Sequence, residues 1–149
     1  MKQVNTLHEI HVKYTRSYGT EAIKDSETAY SICKQAYAQA EANINLKEYF
    51  IVILLNRANQ VIGYYKLSEG GLSGTVADVR LAFSVALKCL ASAMIITHCH
   101  PSGQLKPSSQ DLKLTKQFVE AGKLMEIQVL DHLIVSIDGY FSFANEGLI

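Results

Sequence analysis

Seven consecutive apolar residues, Tyr49-Phe-Ile-Val-Ile-Leu-Leu55, constrain this chain more than any other feature. A surface helix shows an apolar stripe, not a continuous apolar coat. A run this short and this uniform reads as a strand buried on both faces. Ala93-Met-Ile-Ile-Thr97 has the same character. Two such strands need cover above and below, so the expected fold class is α/β, with a mixed central sheet flanked by helices.

The rest of the sequence supplies that cover. Asp25 or Ser26 can cap a helix running to about Ile44, with Ala29, Ile32, Cys33, Ala36, Tyr37, Ala40 and Ile44 as its apolar stripe. Asn56 to Gln60 carry turn chemistry, and Val61 to Leu67 return as the hairpin partner. Glu69 to Gly74 form a loop. Thr75 with Asp78 resembles a capping box before a helix bearing Val76, Val79, Phe83, Ala86, Leu87 and Leu90. A polar loop from His98 to Pro107 precedes a helix from about Ser109 to Ala121, ended by Gly122. Ile127 to Ile137 and Tyr140 to Phe143 are the last strands, joined at Asp138-Gly139. Near the N-terminus Ile10, Val12 and Tyr14 alternate with polar residues, as in an edge strand. The expected organisation is an N-terminal strand or arm over 1–20 and one domain over 21–149.

Charge and cysteine content narrow the function classes. The 149 residues hold 14 basic and 14 acidic side chains, so bulk positive charge offers no general grip on nucleic acid. No apolar run approaches the roughly 18 residues of a membrane helix, and the N-terminus lacks a signal-peptide core. Cys33, Cys89 and Cys99 are odd in number and form no C-x-x-C pair, which points to a reducing cytoplasm. Cys33 and Cys89 fall on apolar helix faces and read as core.

The chemistry concentrates after Ile96, in I-T-H-C-H-P-S-G-Q-L-K-P-S-S-Q-D. Residues two apart in extended chain share a face, about 6.6 Å apart along the backbone. His98 and His100 can therefore converge on one metal ion, with Cys99 on the opposite face. Asp111 follows in the first turn of the next helix, and Pro101, Gly103 and Pro107 can fold the loop so that its carboxylate returns to the histidines. Two His and one Asp leave a fourth tetrahedral position open, the mark of a catalytic zinc rather than a structural one. Water on such an ion ionises near neutral pH, and its use in hydrolysis needs a general base and an oxyanion donor. Ser108, one turn before Asp111, can be the donor. Glu48, at the mouth of the most apolar strand, is the best candidate base. A capping box at Ser108 and Asp111 is compatible with these roles, because it fixes the turn that a ligand needs. His132 reads as a buried histidine hydrogen-bonded in the sheet, with support of a metal ligand as the alternative. Arg80 and the lysines 113, 116 and 123 read as structural or solvated positions.

This pattern, His98-x-His100, seven residues, Ser108, two residues, Asp111, with an upstream Glu48, resembles the JAMM motif of MPN-type zinc metallopeptidases, and in particular their RadC branch. Further matching pieces are E-x-F at Glu48 to Phe50, L-N at Leu55-Asn56, S-x-G-G at Ser68 to Gly71 and D-V-R at Asp78 to Arg80. H-x-H-P-S-G at His98 to Gly103, P-S-x-x-D at Pro107 to Asp111, Thr115, and L-D-H at Leu130 to His132 complete them. The resemblance spans about residue 20 to the end. It implies a JAB/MPN three-layer sandwich akin to cytidine deaminases, Zn2+ on His98, His100 and Asp111, Glu48 as base and Ser108 as oxyanion helper. The implied activity is hydrolysis of an amide or isopeptide bond in an unknown peptide-like substrate.

Two departures stand out. The family usually places Asn between the two histidines, where this chain has Cys99, a thiol that offers a fortuitous metal donor or an oxidation target. Longer members carry an N-terminal helix-hairpin-helix module with no counterpart in these residues, so the family's DNA-repair label lends little to a DNA-binding expectation. The rival reading is a non-catalytic, DNA-associated or scaffolding MPN module. A zinc deaminase is disfavoured, because no H-x-E followed by P-C-x-x-C is present. The N-terminal edge strand offers a route to pairing two chains as a homodimer.

Overall fold

The computed structural model describes residues 22–70 and 76–149, together with Glu9 and His11. The expected N-terminal strand, the arm over 1–20 and Thr75 lie outside the described residues. In chain order the elements are α1 (Ser26–Gln39), β1 (Tyr49–Leu55), β2 (Val61–Glu69), α2 (Val79–Lys88), β3 (Ala93–Cys99), α3 (Ser109–Met125), β4 (Gln128–Val135) and β5 (Tyr140–Ser142). The strands form one mixed sheet in the order β2-β1-β3-β4-β5. Only β3 and β4 run parallel, with α3 as their crossover; the other pairings are antiparallel.

Every residue of β1 and of β3 is buried, as their uniform apolarity requires. Alternate side chains feed two separate cores. Ile51, Ile53, Leu55, Ile95 and Leu133 pack with Cys33, Ala36 and Tyr37 of α1 on one face. Phe50, Val52, Leu54, Met94 and Ile96 pack with Ala82 and Phe83 of α2 and Phe118 of α3 on the other. The molecule is thus an α/β three-layer arrangement, and the first two strands are joined by a tight turn. Asn56 organises that turn, its side-chain oxygen accepting the N–H groups of Ala58 and Gln60 at 2.9 and 3.0 Å.

Strand β2 runs on to Glu69, expected in the loop, while β4 covers Gln128–Val135 rather than 127–137 and β5 stops at Ser142 rather than Phe143; four further boundaries differ for a clear local reason. Helix α1 stops at Gln39 rather than near Ile44. Glu41 turns left-handed (φ 53°), and the N–H groups of Glu41 and Ala42 close onto the carbonyls of Ala38 and Tyr37, a Schellman ending. Ile44 still packs on the core from beyond the helix. Helix α2 is capped by Asp78 itself, whose carboxylate accepts from Leu81 N at 3.1 Å, so Val76 precedes the helix and stands exposed. Strand β3 continues through His98 and Cys99, so the loop begins at His100. Helix α3 passes through Gly122 and ends at Met125 on a left-handed Glu126 (φ 54°). Gly122 is needed for close approach instead, because a Cβ there would lie 2.3 Å from the carbonyl oxygen of Ile127.

Candidate metal centre

Strand β3 delivers two histidines to one edge of the sheet. His98 is its penultimate residue, on the same face as Phe50 of β1, and the two rings stack with centroids 5.9 Å apart. His100 follows two residues on, so it projects to the same side. Its Nδ1 lies 2.8 Å from the carbonyl oxygen of Gln104. A carbonyl has no proton to give, so His100 donates from Nδ1 and leaves Nε2 as its free ligand atom when the ring is neutral.

Asp111 arrives from the first turn of α3. Ser108 caps this helix: its hydroxyl accepts from Asp111 N at 3.1 Å, and its own N–H donates to Asp111 Oδ2 at 2.8 Å. This reciprocal box aims the carboxylate back at β3. Its Oδ1 lies 3.3 Å from His98 Nε2 and its Oδ2 3.5 Å from His100 Nε2. The two Nε2 atoms are 2.9 Å apart. Neither capping bond uses the Ser108 hydroxyl proton, which is available to a ligand.

Among the described residues, His98, His100 and Asp111 are the one group of His, Cys, Asp or Glu side chains whose donor atoms converge, all within 4.8 Å. A tetrahedral ion with bonds of 2.0–2.1 Å holds its donors roughly 3.3 Å apart. The two nitrogens are 2.9 Å apart, each has one carboxylate oxygen near that distance (Oδ1 3.3 Å from His98, Oδ2 3.5 Å from His100), and one donor atom from each residue lies within 4.8 Å of the other two, so the donor set fits a divalent metal.

Glu48 is close enough to this group to feel its charges. Phe50 pairs with His98 across β1 and β3, so Glu48, two residues earlier, falls opposite His100 on the same face. Burial pushes its carboxyl above the ordinary glutamate value, with His98 and His100 pulling it down and Asp111 pushing it up. For Asp111 burial acts in the raising direction, but the imidazoles of His100 and His98 and the cap at Ser108 overcome it and hold the carboxyl well below the usual range. His100 is raised, chiefly by its hydrogen bond to Asp111.

The backbone around Glu48 is held from the other side of the sheet. Cys99 Sγ accepts from Tyr49 N and donates to the Lys47 carbonyl, both at 3.4 Å. Cys99 belongs to the α1-side core, as its alternation with His98 predicts. Burial pushes its thiol up to about 11, which keeps it protonated. Its side chain lies on the face away from the three converging donors, held between Lys47 and Tyr49, so in this structure it serves the backbone beside Glu48 rather than the donor group.

Two further residues stand behind His98: Thr115, which the sequence left without a role, and His132, for which support of a metal ligand was the alternative reading. His132, fully buried on β4, places Nε2 2.7 Å from His98 Nδ1. Its Nδ1 is 2.6 Å from Thr115 Oγ1 on α3. Burial holds the His132 ring well below the ordinary histidine pKa, and Phe143 stacks on it at 4.5 Å. The reading of His132 as a buried, hydrogen-bonded histidine therefore holds, with a candidate metal ligand as its partner. A cavity of about 570 Å³ lies at the opposite end of β3, by Arg57, Ser92 and Lys123, and shares none of these residues.

Fold and donor set define a JAB-type domain with a candidate metal-binding group. The model of the RadC-like JAB domain matches residues 23–148, and the chain belongs to that family. It is 43% identical over 130 residues to a UPF0758 protein of Porphyromonas gingivalis, covering 87% of this chain and 55% of that one. A UPF0758 protein of Flavobacterium johnsoniae is 45% identical over 101 residues, covering 68% of this chain and 44% of the relative. One from Salinibacter ruber is 47% identical over 103 residues, covering 69% and 44%. The chain spans about half the length of these curated relatives. No helix among the described residues is long and apolar enough to cross a membrane.

Proposed function

We propose that this chain is a zinc-dependent hydrolase of amide or isopeptide bonds. The observation that carries the reading is the convergence of His98, His100 and Asp111 within 4.8 Å, with Glu48 on the same face. Bound there, Zn2+ supplies a Lewis acid for the carbonyl and a water acidified to near neutrality. Glu48, with its raised carboxyl, is suited to take a proton from that water and pass it to the leaving amine. The Ser108 hydroxyl, held in place by its cap, can donate to the developing oxyanion. Phe50 stacks on His98 and gives this end of the sheet an apolar floor.

The test is metal content followed by turnover. Protein purified without added metal should carry about one zinc per chain by elemental analysis, and His98→Ala and Asp111→Ala should carry none. Glu48→Gln should keep the metal and lose cleavage of an isopeptide-linked reporter peptide by about 100-fold or more. Full activity in Glu48→Gln removes that residue from the mechanism, and a metal-free wild type removes the mechanism itself.

A further inference from the structure

We infer that Thr115 and His132 are positioning residues that fix which nitrogen of His98 is left bare for a metal. The inference rests on the metal-site reading above and concerns how the site is made ready. It follows from counting protons along three short contacts. Thr115 Oγ1 lies 2.6 Å from the Asp111 carbonyl and 2.6 Å from His132 Nδ1. Both separations need a proton between the heavy atoms. The carbonyl has none, so the single hydroxyl proton of Thr115 must go to it. His132 must then supply the proton of the other contact, from Nδ1.

An uncharged imidazole has one N–H. His132 is fully buried against Phe143 and Phe50, with no carboxylate on its ring nitrogens, which disfavours a second proton. With Nδ1 protonated, its Nε2 is bare and can only accept. The proton in the 2.7 Å contact to His98 therefore belongs to His98 Nδ1. A neutral His98 then has its lone pair on Nε2, and in metal-free protein the 2.9 Å contact there is filled by an Nε2 proton of His100, charged beside the Asp111 carboxylate, which a bound ion would displace. The order of donation runs from His98 through His132 and Thr115 to the Asp111 carbonyl. It begins at one candidate ligand and ends on the backbone of another. The far histidine is set independently by Gln104, whose carbonyl plays the same part for His100. Hydrogen bonds on the outer nitrogen are the general means of fixing ligand tautomers.

The test reads ring nitrogens directly. Histidine-15N-labelled, metal-free protein at pH 8 should show His98 protonated at Nδ1 and bare at Nε2, with the same pattern at His132. The opposite pattern at His98 in the wild type overturns the inference, and this arm needs neither variant nor metal. Thr115→Val removes the acceptor while keeping the shape. His132 should then shift its proton to Nε2, and His98 should become protonated on the metal-facing nitrogen. Zinc affinity by competition with a chelating dye should fall about 10–100-fold, and Thr115→Ser should restore both. Unchanged His98 nitrogen signals in a folded Thr115→Val defeat the inference, as does unchanged zinc affinity. A wild type that shows the stated pattern but takes no zinc defeats the proposed function and leaves the tautomer assignment standing.

Discussion

Glu48, the proposed base, shows how burial alone changes a carboxylate. Its carboxyl is raised chiefly by burial, while two histidines pull the other way. A base must be ionised, so activity is lost as pH falls through its pKa, and that pKa lies above the ordinary 4.5. We expect an acid limb in kcat/KM that follows Glu48, which burial moves upward and a bound cation would move downward. The measurement is a rate profile with zinc loading followed in parallel, because protonation of His98 or His100 would also lower the rate by releasing metal. A limb that tracks metal loss alone would assign it to the histidines. Most of this site was legible in the sequence because His98, His100, Ser108 and Asp111 lie within fourteen residues and each carries a recognisable spacing. Thr115 was quoted as part of the motif but given no role, and His132 was read as a buried, hydrogen-bonded histidine. Their link needs α3 to bring β4 beside β3, and no local spacing reports that.

At the scale of elements, helix endings were the least legible feature. The reading looked for glycine at a left-handed terminus, and all three helices among the described residues end on Glu41, Leu90 or Glu126 instead. Their Schellman bonds, such as Ala91 N to the Ala86 carbonyl at 2.9 Å, hold a conformation that a side chain disfavours by about 1–2 kcal/mol. The one glycine marked as a terminus, Gly122, lies inside α3. These two facts give predictions of opposite sign, both checked by urea unfolding of metal-free protein. Leu90→Gly should stabilise by about 0.5–1 kcal/mol, since Leu90 is 67% exposed and gives up little buried surface. Gly122→Ala would normally gain up to about 1 kcal/mol from helix propensity. Here the 2.3 Å approach to the Ile127 carbonyl forces the backbone apart, so a net loss of about 1–3 kcal/mol is expected.

Across the whole molecule, the β3–α3–β4 crossover carries the metal-donor group, Ser108, Thr115 and His132, while Glu48 immediately precedes β1. An ion bridging the end of β3 and the start of α3 would tie the crossover together, since His98 and Asp111 belong to different layers. Binding to the folded state alone adds about 2.7 kcal/mol at a hundredfold excess over Kd. Thermal unfolding should therefore shift upward with zinc, return with a chelator, and not respond in His98→Ala. The two buried strands, the two-faced core and the capped α3 all followed from apolar runs and short spacings. The parallel pairing of β3 with β4 did not, because strand order is set by tertiary packing. That strand order gives neighbouring residues opposite duties. His98 looks toward the ion-binding side, while Cys99, one position on, secures the peptide units flanking Glu48 from behind. A slip of β3 by a single residue would turn an imidazole into the α1 layer and a thiol toward Asp111. Misaligned chains would thus forfeit both halves of the chemistry at once, a proofreading of alignment written into two adjacent letters.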